Sequence, residues 1–397
     1  MVNISKREEE LPGATIAKFL KIAEERKDII SLGPGEPDFD APKPIIEYAK
    51  KVFSKATHYS PSEGRQEFRE AIVEKLKREN KIKCRPENII ATCGSQEAIF
   101  IALAATVDVA EEVIVPNPGF LAYIPCVELL SAFPIPLQLR EEEEFDINFS
   151  RLHRLIGNKT KAIIINSPSN PLGNVIGRKT LEALADVVVE HDLIVFSDEA
   201  YEKFVYDDAK HVSIASLNGM FDYTVTFHSF SKSYAMPGFR IGYAAAPEKL
   251  IKAMTKIHPY ITLAAPTISQ MAATFALSLP KRHIQEMGRE YDKRRKFIWK
   301  RLNEIGMPSV KPKGAFYTFN NIQEYGLSSA EFSEHMLKNA KVAMIPGTEF
   351  GLYGEGFIRC SYATALPKIE EAMKRLEAEL EVLRSRPRRK NRLFARN

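Results

Sequence analysis

The residues able to do chemistry in this chain sit at the ends of short apolar runs. YTVTFHS ends on Ser229; Ser231 and Lys232 follow, and Arg240 lies eight residues beyond the lysine. DLIVFSDEAY carries Asp198, with Tyr201 three residues later, and KAIIINSPSNPLG carries Asn170. NIIATCG leads through Gly94, Ser95 and Gln96 into a helical pattern, EVIVPNPGFLAY supplies Phe120 and Tyr123, and FIRCSYA holds Arg359. A lysine can form a Schiff base with a carbonyl carbon and can carry a proton. A guanidinium fork suits a carboxylate or a phosphate. A helix N-terminus offers unpaired N–H groups to an anion.

Singly, each residue has a plainer explanation. Lysines after strands are usually solvated, Asp198 can cap a turn, and Asn170-Pro171 is a common turn dipeptide. Ser95 can be an N-cap, and Phe120 can be core. Their conjunction depends on the elements that carry them.

Between about residues 88 and 246, short apolar runs alternate with helical patterns. NIIATCG, EVIVPNP, KAIIINSP, DLIVFSD, YTVTFHS and RIGYAAA read as strands buried on both faces. SQEAIFIALAATV, FSRLHRLIG and RKTLEALADVVVEH read as the helices between them. This alternation predicts an α/β fold with a mostly parallel sheet covered by helices on both sides. In such sheets ligands bind beyond the strand carboxyl ends, where the polar residues above fall. From residue 281 the pattern changes to a long helix with a dense charged face, stopped by Gly306 and Pro308. Strand-like AFYTFNNI, helix-like AEFSEHMLKNA, VAMIPG, FIRCSYA and a final amphipathic helix follow. We therefore expect a large domain over 45–280 and a smaller α+β domain formed by 1–44 with 281–397.

Composition narrows the class. With 45% hydrophobic and 27% charged residues, the chain reads as an ordinary soluble globular protein. It has no apolar run long enough to span a bilayer. MVNISKREEELPG lacks the apolar core of a secretory signal, so a cytoplasmic address is expected. The formal charge is +5, yet six positive residues lie in the tail at 386–397, which leaves about −1 for the rest. We read that tail as a frayed terminus rather than a nucleic-acid-binding arm. Cys84, Cys93, Cys126 and Cys360 are scattered without CxxC spacing, so neither a metal site nor a disulfide framework is expected. GPGEPD lacks the G-x-G-x-x-G pattern, holds Pro34 and Pro37 and precedes the sheet, which argues against a dinucleotide loop.

Taken together, S-x-S-K with an arginine eight residues on, N-x₂-N-P-x-G at 166–173, S-D-E-x-Y and F-I-R-C-S-Y-A resemble the fold-type I enzymes that use pyridoxal 5′-phosphate (PLP). Within them the chain is similar to class I/II aminotransferases, closest to archaeal aspartate and aromatic amino-acid enzymes, over nearly its whole length. The resemblance implies a seven-stranded, mostly parallel sheet sandwiched by helices. It implies that Lys232 holds PLP as a Schiff base and then serves as the base, while Asp198 pairs with the ring nitrogen. Tyr201 and Asn170 would bond the cofactor's phenolic oxygen, and Phe120 would stack on its ring. Gly94, Ser95, Gln96, Ser229 and Arg240 would hold the phosphate, with Tyr59 reaching it from a second subunit of a homodimer. Arg359 would grip the substrate carboxylate, and Gly35 would lie over the substrate, where a side chain would obstruct it.

Phe120 stands where many relatives carry tryptophan, and Leu172 and Pro237 where threonine is common; altered packing near the cofactor is expected there. The implied activity is ping-pong transfer of an amino group between an amino acid and 2-oxoglutarate, with small-molecule partners, no nucleic acid and no membrane. Gln96 is neutral where some relatives offer a lysine to a distal carboxylate, which favours an aromatic or broad-range donor. Alternatives are an aspartate aminotransferase, a specialised biosynthetic transaminase such as the methanogen furan-aldehyde-phosphate enzyme, and a PLP β-lyase on the same fold.

Overall fold

The structure is a computed structural model that describes residues 4–5 and 26–385; the basic tail at 386–397 lies outside them. A short strand β1 (Ile30–Ser31) precedes a seven-stranded sheet. Its strands are β2 (Ile89–Thr92), β3 (Glu112–Asn117), β4 (Phe133–Gln138), β5 (Thr160–Asn166), β6 (Ile194–Asp198), β7 (Thr224–Ser229) and β8 (Gly242–Ala245). They lie in the order β2-β8-β7-β6-β5-β3-β4. Only β8 breaks the parallel pattern, running antiparallel to both β7 and β2.

Period-2 alternation decides which face each side chain joins. In β5, Ala162 and Ile164 enter one core with Ile99 and Leu103 of the helix Ser95–Thr106. Ile163 and Ile165 enter the opposite core with Leu181, Leu184 and Val188 of the helix Arg178–Glu190. A strand buried on both faces has no polar side in its middle, so polar chemistry is confined to its ends.

β4 was not among the strands expected from sequence. Its run FPIPLQ holds Pro134 and Pro136, which lack the N–H a central strand needs. The structure resolves the conflict by placing β4 at the sheet edge, paired only with β3.

A second, antiparallel sheet joins β9 (Tyr317–Asn321) to β12 (Phe357–Ser361) and β11 (Ile345–Pro346). The VAMIPG run does not form one strand. It splits into β10 (Val342–Ala343), which pairs with β1, and β11. The long helix Arg282–Glu304 and the last described helix, Leu366–Ser385, share a core through Ile298, Leu302, Leu376 and Leu380. That core also takes in Tyr201, Phe204 and Tyr206 from the segment after β6.

The long helix is not charged only on its exposed side. Arg295 is fully buried and grips Asp207 through two bonds of 3.0 and 2.9 Å while donating to the Pro312 carbonyl at 2.8 Å. A buried guanidinium held this way ties the segment after β6 to the approach to β9. Among the described residues no helix is long and apolar enough to cross a membrane.

Leu184 is fully buried against the sheet. Leu184→Ala is expected to destabilise the protein by about 2–5 kcal/mol, read as a lower urea midpoint than that of the unsubstituted chain.

Candidate active site

The strand ends converge on one cavity of about 160 Å³. β6 delivers Asp198, and β5 delivers Asn166 and, through the following loop, Asn170. β7 ends on Ser229, whose side chain caps the short helix Phe230–Ser233 by accepting from the Ser231 N–H at 3.2 Å. That turn presents Lys232 to the cavity. Phe120, Tyr201 and Arg240 complete the wall, with Gly94, Ser95 and Gln96 where the helix Ser95–Thr106 begins.

The glycine at that helix start suits its backbone, since φ +84° with ψ 169° is a region other residues rarely adopt. A Cβ on Gly94 would lie 2.6 Å from Arg240 Nη2. Arg240 itself adopts φ +48° and donates to the carbonyls of Pro237 and Cys93 at 3.1 and 3.2 Å. Gly242 on β8 packs directly beneath, since a Cβ on it would meet Gly94 C and Ser95 N at 2.7 Å. The guanidinium is thereby brought beside first-turn N–H groups that have no carbonyl partner within the helix. Both features favour an anion.

Asp198 is buried at the opposite side of β7 from this cradle. Its Oδ2 accepts from the Tyr123 hydroxyl at 2.7 Å and its Oδ1 from the Ala200 N–H at 3.1 Å. Burial pushes its carboxyl above the ordinary range, and those bonds together with Lys232 oppose the shift. Asn166 ties the neighbouring loop down: Nδ2 donates to the Asp198 carbonyl at 3.0 Å, and Oδ1 accepts from the Asn170 N–H at 2.8 Å.

Arg359 comes from β12, in the other sheet, and is 3% exposed. It donates to Asn170 Oδ1 at 2.9 Å and to the Gly33 carbonyl at 2.5 Å. Its guanidinium carbon lies 4.5 Å from the Tyr317 ring centre and 4.8 Å from that of Phe350. Its Nε has no partner, and among the described residues no carboxylate is found acting on it. A buried charge with only neutral partners is costly unless an anion joins it. Burial and nearby Arg359 lower the Lys232 pKa to about 8. The lysine donates to the Gly35 carbonyl. A Cβ on Gly35 would lie 2.7 Å from Tyr317 Oη, which in turn bonds Tyr201 Oη at 2.7 Å.

Of the residues singled out from sequence, Gly94, Ser95, Gln96, Phe120, Asn170, Asp198, Tyr201, Ser229, Lys232 and Arg240 line the cavity, and Gly35 and Arg359 bond to its walls. Tyr59 does not line it and is 86% exposed. Asn166, Tyr123 and Tyr317 were not assigned roles in advance. All three lie in strand-like runs or at their ends, but Tyr317 reaches the site from the second sheet, which spacing along the chain does not reveal. Glu199, Glu202 and His211 also gather within 4.8 Å beside the cavity. Lys75 pairs with Glu202, and Glu199 accepts from Ser213 and His211 at 2.6 and 2.9 Å, so these acids already have partners.

A lysine with a lowered pKa and an anion cradle at the carboxyl ends of a doubly covered sheet thus lie close to a buried arginine from the second sheet that has no carboxylate partner. Residues 27–376 match the family described as aminotransferase class I and II. The chain is 51% identical to an aspartate aminotransferase of Pyrococcus abyssi over 92% of its own length and 95% of that protein. It is 48% identical to aromatic-amino-acid aminotransferase 2 of Thermococcus litoralis, over 95% and 98%. The crystal structure of an aromatic aminotransferase from Pyrococcus horikoshii superposes with a TM-score of 0.89 at 50% identity, covering 93% of this chain and 99% of that one. The chain belongs to the class I and II aminotransferases, and the protein is an aminotransferase.

Because the Lys232 pKa is held near 8 rather than 10.5, its amine loses its proton as pH rises through about 8. Acylation of Lys232 in cofactor-free enzyme, followed by peptide mass spectrometry, is expected to reach half its maximal rate near that pH. A midpoint near 10 would show that burial does not act on this amine.

Proposed function

We propose that the protein is a PLP-dependent aminotransferase that moves amino groups between an aromatic or broad range of amino acids and 2-oxoglutarate. The observation that carries this reading is Arg359: a buried, carboxylate-free guanidinium bonded to Asn170 in the wall of the cavity that holds an activated lysine. That pairing suits a substrate with a carboxylate one carbon from an amine.

The residues fit PLP in spacing as well as type. In sheet order, β8 underlies the anion cradle, β7 presents Lys232 and β6 presents Asp198. Two strand spacings, roughly 10 Å, thus separate an anion site from a buried carboxylate. This span suits a phosphorylated pyridine with its aldehyde directed at the lysine. When bound, PLP supplies the electron sink that stabilises negative charge at the substrate α-carbon.

The chain's own groups have distinct tasks in this reading. Arg240, Ser229, Ser95, Gln96 and the N–H groups after Gly94 hold the phosphate. Asp198 holds the proton on the ring nitrogen. Phe120 covers the ring, and Tyr201 with Asn170 Nδ2 binds the phenolic oxygen. Arg359 orients the substrate carboxylate, which directs the α-hydrogen towards Lys232 Nζ. With a pKa near 8 that amine can accept the α-proton at neutral pH and return it. The first oxo acid leaves before 2-oxoglutarate enters, the order expected of ping-pong transfer.

We further assign residues 45–280 to a large domain and 1–44 with 281–397 to a small one, which puts Lys232 and Arg359 on different units. Closure of one on the other would exclude water from the proton transfer. The reading also includes a homodimer, in which Tyr59 serves the partner's phosphate. Its exposure fits that role, as does that of Tyr260 at 90% and of Ile261 and Leu263 nearby. The bond from Thr262 to Glu97 at 2.5 Å keeps this turn beside the start of the cradle helix.

The donor preference rests on the neutral, exposed Gln96 and on likeness to a relative named for aromatic amino acids. Likeness to a relative named for aspartate supports the second reading. A panel of amino donors against 2-oxoglutarate separates them: phenylalanine and tyrosine should exceed aspartate in kcat/KM, and the reverse order would establish the aspartate reading. Arg359→Ala should lower kcat/KM for every α-amino acid about 30-fold or more while PLP stays bound. Loss of the cofactor instead would mark Arg359 as structural.

A further inference from the structure

We propose that Tyr123 is a positioning residue that acts through Asp198. Its hydroxyl fixes Oδ2 and thereby aims the remaining carboxylate lone pairs at the ring nitrogen of the cofactor. The inference rests on the reading of the cavity as a PLP site and adds a residue that no motif assigned.

The geometry is specific. The Tyr123 hydroxyl donates to Asp198 Oδ2 at 2.7 Å, and the Ala200 N–H donates to Oδ1 at 3.1 Å. A carboxylate has about four acceptor positions, so these two bonds pin its rotation and leave others for a ligand. Tyr123 is itself held rigidly. It is 1% exposed, begins the helix Tyr123–Leu129, and its N–H bonds the Phe120 carbonyl at 3.0 Å. Its ring meets that of Phe120 edge to face at 5.5 Å. One turn after β3 therefore places both the aromatic wall of the cavity and the donor that orients its carboxylate.

Electrostatics give the contact its purpose. Burial pushes the Asp198 carboxyl towards its neutral form, and among the opposing influences the Tyr123 bond is the largest. Burial and the neighbouring Asp198 together drive the phenol pKa well above its usual value, so the hydroxyl remains a donor. A neutral Asp198 could not hold a proton on a pyridine nitrogen. Without the hydroxyl, Asp198 keeps the backbone bond and burial but loses its strongest local reason to stay charged.

Tyr123→Phe keeps the ring and removes one oxygen. Equilibrium dialysis of cofactor-free enzyme measures affinity for PLP and for its 1-deaza analogue, in which CH replaces the ring nitrogen. Tyr123→Phe is expected to weaken PLP about tenfold, as for loss of a bond to a charged group, and to change affinity for the analogue less than twofold. In an Asp198→Asn background the same substitution should have no further effect on PLP. Unchanged PLP affinity, or equal weakening of both ligands, would overturn the proposal by making Tyr123 inert or merely structural. Failure of the unsubstituted chain to bind PLP at all would instead bring down the cofactor reading and this inference with it.

Discussion

Asp198 is a carboxylate taken out of water at the end of the central strand β6, and much of the surrounding structure answers the cost of putting it there. An ionised group in a low-dielectric interior must be hydrogen-bonded or neutralised. Here the compensation comes from separate elements: the hydroxyl of a tyrosine after β3, a backbone N–H after β6, and the charge of the lysine after β7. The Ala200 N–H lies only two residues along the chain, but the hydroxyl and the lysine reach Asp198 only when the strands are in their native order. The charge thus couples sheet topology to chemistry, because the same arrangement that makes Asp198 tolerable leaves acceptor capacity facing the cavity.

The two arginines show how placement divides one side-chain chemistry into two functions. Arg240 is exposed and sits in a left-handed backbone conformation beside a helix N-terminus, where the cradle is built as much from the backbone as from the guanidinium. Arg359 is buried between Tyr317 and Phe350 with only neutral oxygens as partners. Aromatic faces offer a cation partial compensation, which lets the fold keep the charge without cancelling it by a resident carboxylate. An arginine already paired with an aspartate would be a poorer receptor for a substrate carboxylate.

The segment that follows Asp198 is anchored on two sides. Glu199 and Glu202 join a buried polar network with Lys75, Asn80, Ser213 and His211, while Asp207 is locked by Arg295 of the long helix. Tyr201 is held by Tyr317 from the second sheet. Residues that must meet a ligand within tenths of an ångström need such support, because local strand geometry alone does not fix a loop.

Much of this site was legible from the chain itself. Short continuous apolar runs marked the strands, and the polar residues ending them marked where a ligand must lie, since a strand covered on both faces can expose polar groups only at its ends. Lys232, Asp198 and Asn170 could be found that way because each ends or follows a strand of the same sheet, and Arg240 by its fixed spacing from the lysine. β4 could not, because its prolines are tolerated only at an edge, and edge position is a property of the assembled sheet. Nor could Tyr317 or the role of Tyr123, which depend on distances between segments far apart in sequence. Sequence alone determined the local elements and the kinds of chemistry at their ends, because propensity and periodicity act over a few residues. Tertiary structure decided which charges are buried, which are left without partners and which donors aim them, because those are energies of neighbours that only folding brings together.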